Sequence, residues 1–212
     1  MAEINAAGLF LSGASTRLRE ERRPAMPPFV HVDSDSIDHD ELPNQILADY
    51  RPAYQQIFSG LKARGHHRVA LLYGLNTTHP VCVTMLAAAR KHFGDAVDIL
   101  QLKLDAMELS MYYDDRLVHE NSELFATCVN RLRECTALIA SNDHLAMLAL
   151  AEFQRSGRRI PNDVELFGAG NIKAGQLLHP RLSTIQHSYR SVACAAWQML
   201  AKRMENPEQD QP

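Results

Sequence analysis

The sequence predicts an α/β protein built on parallel sheet, and three features carry that prediction. Short apolar runs such as Arg68–Leu72, Ala137–Ala140 and Val164–Phe167 alternate with longer stretches of helical periodicity. Three of the helical stretches stop at a glycine, Gly65, Gly94 and Gly157, the residue best able to adopt the left-handed turn after a helix. The unit from Ala137 to Gly170 shows the full cycle. A four-residue apolar strand is followed by Ser141, Asn142 and Asp143, each able to cap a helix. Ala146, Ala149, Leu150 and Phe153 then mark one helical face. Gly157 and Pro161 close the helix, and Val164–Phe167 begins the next strand.

In chain order, Ala7–Leu11 reads as a strand leading into the loop Ser12–Thr16. Arg17–Pro28 is charged and then Pro-rich, a short helix and an extended connector. Phe29–Val32 is a strand, and the acid-rich stretch from Asp33 to Pro43 is a solvated loop. Helical spacing through Ile57, Leu61 and Arg64 ends at Gly65. A strand at Arg68–Leu72 precedes the loop Gly74–His79, and Pro80 suits a first helical position. The helix through Met85, Leu86, Ala89 and Phe93 gives way to a strand over Val97–Leu104. A polar stretch then leads to a helix over Ser122–Arg133. After the central unit, Ser183–Gln186 is a strand. A last helix follows, with Val192, Ala195, Ala196, Met199 and Met204 as its buried stripe. Leu138, Ile139, Val69, Leu71, Leu166 and Phe167 are the expected buried strand residues. Residues 207–212 read as a polar, disordered tail.

Composition narrows the function classes. A net charge of −3 gives no general reason to bind a polyanion. No apolar run is long enough for a bilayer, and the N-terminal residues lack the pattern of a secretory signal, which together point to the cytoplasm. Cys82, Cys128, Cys135 and Cys194 have no C-x-x-C spacing and read as buried thiols in a reducing compartment. His66, His67, His79 and His92 match no zinc spacing, so no metal and no cofactor are predicted. There is no G-x-S-x-G elbow. The Ser12-Gly13-Ala14-Ser15 stretch lacks the Lys-Ser/Thr end of a phosphate loop, so no catalytic constellation is legible.

Several ordered motifs together resemble one family. A strand ending in Asn142-Asp143, an apolar helix, a Gly stop, Ile160-Pro161-Asn162-Asp163-Val164 and a strand ending in Gly168 are similar to the effector domain of LacI/GalR-type transcriptional regulators. His179-Pro180-Arg181-Leu182-Ser183-Thr184-Ile185-Gln186 resembles that family's Pro-x-Leu-Thr-Thr-Val-x-Gln segment. Gly65-His66-His67-Arg68-Val69-Ala70 resembles its Gly-His-Arg-Arg-Ile-Ala, and Phe29–Asp33 its second strand. The likeness runs from about Gly8 to about Met204. It implies two Rossmann-like three-layer α/β/α subdomains of periplasmic-binding-protein type I architecture, the first incomplete. Residues 1–66 and 182–206 would form the first subdomain and residues 67–181 the second. It also implies a small-molecule effector, a homodimer, and DNA contact through an N-terminal head that these residues do not contain. A periplasmic-type binding protein shares the architecture and is the alternative.

Ligands of open α/β sheets bind beyond the carboxyl ends of the strands. That geometry selects Asn142, Asp143, Thr78, His79, Asn171 and His187 as ligand-binding candidates lining one concavity, with helix capping as the plain alternative for Asn142 and Asp143. Sugar-binding members of the family carry an Arg and an acid at the positions occupied here by Met85 and Gly170. The expected ligand is therefore not a standard sugar.

Overall fold

The computed structural model describes residues 7–12, 27–32, 44–46, 48–73, 80–101, 132, 134–186 and 188–205. The elements, in order, are β1 (Leu9–Ser12), β2 (Phe29–Val32), β3 (Gln45–Ile46), α1 (Arg51–Ala63), β4 (Val69–Tyr73), α2 (Pro80–Phe93) and β5 (Val97–Gln101). They continue with β6 (Ala137–Ala140), α3 (Asp143–Arg155), β7 (Glu165–Ala169), α4 (Lys173–Leu177), β8 (Ser183–Ile185) and α5 (Tyr189–Glu205). Two compact units result, one of residues 1–49 with 188–212 and one of residues 50–187.

The first unit holds a parallel sheet in the order β1-β2-β3, with α5 packed on β2 and β3. Val30, Ala196 and Leu200 are buried together, and Val32, Ile46 and Met199 pack against them.

The second unit holds a five-stranded sheet, β5-β4-β6-β7-β8, with every neighbouring pair parallel. All five residues of β4 and all four of β6 are buried, as expected of strands covered on both faces. Ala70, Leu72, Leu138 and Ala140 join Leu145, Ala146, Ala149, Leu150 and Phe153 of α3 in one cluster. Alternation sends Val69, Leu71 and Tyr73 to the other face, where α1 and α2 lie. There Tyr54, Phe58 and Phe93 follow one another with ring centroids 6.4 and 6.3 Å apart, and the Tyr73 hydroxyl donates to the Cys82 carbonyl. These are the three layers expected.

Several expectations change. α1 and β8 belong to the second unit, not the first, because β8 is hydrogen-bonded to β7 and α1 packs on α2. Phe167 is half-buried rather than buried, since it lies beside a groove of about 570 Å³ between α1 and β8, lined also by Ala53, Ile57, Gly60, Ser183 and Gln186. Cys82 and Cys135 are buried thiols, but Cys194 is exposed. β3 and α4 are too short to show a period and were not expected. The predicted helix over Ser122–Arg133, apart from Leu132, and the tail 207–212, with Cys128, lie outside the described residues.

The amino ends of the strands are tied by charge. Arg64 grips Glu165 at the start of β7 with two bonds of 2.8 and 2.7 Å. His66 Nε2 lies 2.9 Å from the same carboxylate, which can only accept, so that nitrogen carries a proton; Nδ1 lies 2.7 Å from Thr136 Oγ1. Arg68 forks onto Asp98 of β5 at 2.6 and 2.8 Å, and the Cys135 thiol donates to Asp98 at 3.0 Å. Burial, then the bond to Asp98, pushes that thiol up to about 12, so it is no nucleophile.

Arg64 holds Glu165 below its ordinary value of 4.5, and Arg159 holds Asp163 down at about 2. Both folded values are depressed, so the stabilisation is fully present above the unfolded values and disappears as pH falls through the folded ones. Thermal melts are expected to be flat from pH 7 to about 4.5 and to fall between there and about 2. Glu165→Gln is expected to remove part of that slope, and a slope unchanged in the variant would show that Glu165 does not contribute.

Candidate functional site

The turns that follow the carboxyl ends of β6 and β7 lie at one edge of the second unit's sheet. At the end of β6 the chain turns into α3 at Asn142, whose backbone is extended. Its Oδ1 accepts from the Leu145 N–H at 2.9 Å, which is a helix cap. The half-buried Asn142 side chain therefore has its Nδ2 left over, and this group donates to nothing among the described residues. A primary amide in that position can hydrogen-bond a carbonyl, hydroxyl or ring nitrogen.

Asp143 is different. It is only 1% exposed, and both of its carboxylate oxygens are engaged inside the protein. Oδ2 accepts from the Ile172 N–H at 2.8 Å, and Oδ1 accepts from the Thr184 hydroxyl at 2.5 Å. Thr184 Oγ1 in turn accepts from the Asn171 N–H at 3.2 Å. The carboxylate thus fastens the turn after β6 to the turn after β7 and to β8. As an internal tether it acts on a ligand only through the loops it holds.

Asn171 sits at φ 51°, in the left-handed region that Asn tolerates, and its Oδ1 accepts from Gln176 Nε2 at 3.0 Å. The structure therefore gathers Asn142, Asp143 and Asn171 at one edge of the sheet. Thr78, His79 and His187 lie outside the described residues.

Two residues at this edge were not among the ligand-binding candidates read from sequence. Thr184 lies inside the Leu182–Gln186 motif, and only the fold shows its hydroxyl meeting Asp143. Ser141, 6% exposed, has a hydroxyl with no hydrogen-bond partner among the described residues. Met85 is fully buried in α2 and offers nothing to a ligand; Gly170 lies at φ 128°, where a side chain would be strained. No group of three or more metal-ligating side chains is assembled among the described residues.

Gly168 is required by this arrangement. A Cβ built there would lie 2.3 Å from Asp143 Oδ1 and 3.1 Å from the Asp143 backbone. Gly168→Ala is expected to cost about 2 kcal/mol through overpacking. Asp143→Ala, which strands two buried donors, is expected to cost about 3 kcal/mol. Urea denaturation checks both, and a Gly168→Ala protein as stable as wild type would disprove the close approach.

Comparison with known proteins identifies the family. Residues 58–212 match the periplasmic binding protein-like domain. The chain belongs to that family. Over 148 residues it is 25% identical to the HTH-type transcriptional repressor PurR of Vibrio atlanticus, covering 69% of this chain and 42% of the relative. It is 34% identical over 71 residues to the repressor of the same name from Aliivibrio salmonicida, covering 34% of this chain and 21% of that one. The chain thus spans less than half the length of these relatives.

Among solved structures, a LacI family transcriptional regulator from Enterococcus faecalis with bound ribose superposes with a TM-score of 0.73 at 18% identity, covering 96% of this chain and 71% of that one. The Lac repressor bound to ONPG superposes with a TM-score of 0.69 at 19% identity, covering 96% and 59%. The fold is that of the LacI/GalR effector-binding domain, as the sequence motifs implied.

Proposed function

We propose that this chain is the ligand-sensing and dimerisation domain of a LacI/GalR-type transcriptional regulator. A small molecule is bound beyond the carboxyl ends of the strands of the second unit and coupled to DNA binding by a separate head. The observation that carries the reading is the Asp143 tether: the turns after β6 and β7 are fixed to β8 in one frame, and Asn142 Nδ2 is left at its rim without a partner among the described residues. Regulation would follow from population shift, the ligand favouring one arrangement of the two units over another. The repressors among the relatives favour this reading over a periplasmic-type binding protein. Catalysis forms no part of it.

The proposed ligand-binding set is Asn142, Asn171, Thr78, His79 and His187, with Asp143 as their positioning residue. With Met85 and Gly170 where sugar-binding members carry an Arg and an acid, the site lacks the charged fork and acceptor that hold vicinal hydroxyls. It suits a polar, uncharged molecule and discriminates poorly among sugars. A cytoplasmic location fits a regulator, and no helix among the described residues is long and apolar enough to cross a membrane.

Asn142→Asp tests the assignment because it keeps the capping oxygen and removes only the amide donor. Its melting temperature is expected to stay at or above that of wild type, the new charge lying at a helix N-terminus. In a thermal-shift screen of sugars, nucleobases and sugar phosphates, any stabilisation seen with wild type is expected to vanish in the variant. Tight calorimetric binding of a simple hexose, unaffected by the substitution, would refute both the location and the ligand class.

With a net charge of −3, the chain by itself is expected to give no sequence-specific gel shift with duplex DNA. A salt-sensitive, sequence-specific shift would contradict the division between sensor and head.

A further inference from the structure

The three candidates gathered at the ligand edge have one property in common. Every side-chain oxygen among them already accepts a hydrogen bond from the protein. Asn142 Oδ1 takes the Leu145 N–H, Asp143 Oδ1 and Oδ2 take the Thr184 hydroxyl and the Ile172 N–H, and Asn171 Oδ1 takes Gln176 Nε2. What remains is the Nδ2 group of each asparagine. Both side chains are half-buried, and neither amide nitrogen donates to anything among the described residues. The two stand on either side of one carboxylate. Asn142 precedes Asp143 in the chain, and the Asn171 N–H donates to the Thr184 oxygen that is bonded to Asp143. Ser141, buried just before Asn142 and without a hydrogen-bond partner among the described residues, adds a hydroxyl that can donate as well.

The two carboxamides are oriented by different means. A backbone N–H can only donate, so the Leu145 amide holds Asn142 Oδ1 and leaves Nδ2 on the opposite side. Asn171 is held by a second carboxamide, which contains both a donor and an acceptor. Gln176 of α4 presents Nε2 to Asn171 Oδ1 at 3.0 Å, and that choice turns Asn171 Nδ2 away from it. Gln176 is exposed and was not a ligand-binding candidate, yet the sense of Asn171 depends on it.

A carbonyl oxygen only accepts, whereas a hydroxyl also donates. A polyol set against two amide donors brings O–H groups whose acceptors these side chains no longer offer, and a desolvated donor without a partner costs more than a made bond returns. A carbonyl compound brings no such surplus. We propose that this edge selects its ligand through carbonyl acceptors, that the ligand class is an uncharged cyclic amide or imide with two such oxygens, and that Gln176 is the positioning residue that sets the preference by holding Asn171 with its donor free. This rests on the ligand-binding reading above and narrows it to one chemistry.

Two ring-matched probes separate the possibilities. N-methylsuccinimide has two carbonyls and no donor, and cis-cyclopentane-1,3-diol has two hydroxyls in the corresponding positions. The side-chain amide resonances of Asn142 and Asn171, assigned by their loss in Asn142→Asp and Asn171→Asp, are followed in nitrogen-15 spectra of the full chain during titration. The imide is expected to shift both resonances and to bind about tenfold more tightly than the diol. In Gln176→Glu the new carboxylate can only accept, so it draws Asn171 Nδ2 to itself and frees the oxygen. The imide is then expected to weaken about tenfold and the diol to bind more tightly, with the melting temperature unchanged because the substituted side chain is exposed. Gln176→Leu is expected to erase the preference without reversing it. Equal affinity of the probes for wild type, or a preference that survives Gln176→Glu, would overturn the proposal and leave the ligand site standing. Asparagine resonances that neither probe moves would overturn both.

Discussion

The arrangement of the ligand edge depends on one buried carboxylate. Taking an ionised Asp out of water is costly unless its lone pairs are satisfied. Asp143 meets that condition with the Ile172 N–H and the Thr184 hydroxyl, and it lies in the first turn of α3, where the helix dipole favours negative charge. One partner comes from the turn after β7 and the other from β8, so neither can shift against the turn after β6 without stranding a buried group. Gly168 belongs to the same constraint, because the carboxylate occupies the space a side chain would need. A residue that touches no ligand can thus decide the shape of the surface that does.

The two ends of the sheet are held by different means. At the amino end, Arg64, His66, Arg68, Asp98 and Glu165 form forked, partly exposed pairs that link the segments leading into β4, β5 and β7. Pairs of that exposure contribute modestly one by one and act chiefly by fixing register. At the carboxyl end a single desolvated group does the fastening. A body tied at both ends of its strands moves as a unit, which a mechanism based on reorienting one unit against another requires.

The sequence was most legible where local signals agree. β6, α3 and β7 could be read because an apolar run, a capping Asn, a clear helical period and a Gly stop follow one another within one stretch. The family motifs supplied what periodicity could not, namely the two-unit architecture and the class of function. Membership of α1 and β8 in the second unit was not legible, since it rests on pairings such as Phe167 with Ser183 that no local pattern encodes. The role of Asp143 was hidden for the same reason. An Asn-Asp pair before a helix reads equally well as cap or as ligand contact, and the fold divides the roles: Asn142 caps and keeps a donor, while Asp143 turns inward to groups 29 and 41 residues away.

Chain connectivity relates the ligand edge to α5. The polypeptide leaves the second unit between His187 and Ser188, and α5 begins at Tyr189. Thr184, which bonds to Asp143, lies just before that exit. A change in the hydrogen bonding of Asp143 therefore acts on the strand whose covalent continuation is α5. The other crossing, between Asp49 and Tyr50, leads straight into α1. β8 is an edge strand with a single strand neighbour in β7, and its further anchor is the bond from Thr184 to Asp143. The exit toward α5 is thus held by the same buried carboxylate that joins the turns after β6 and β7, so a change at that carboxylate is felt where the chain leaves the second unit.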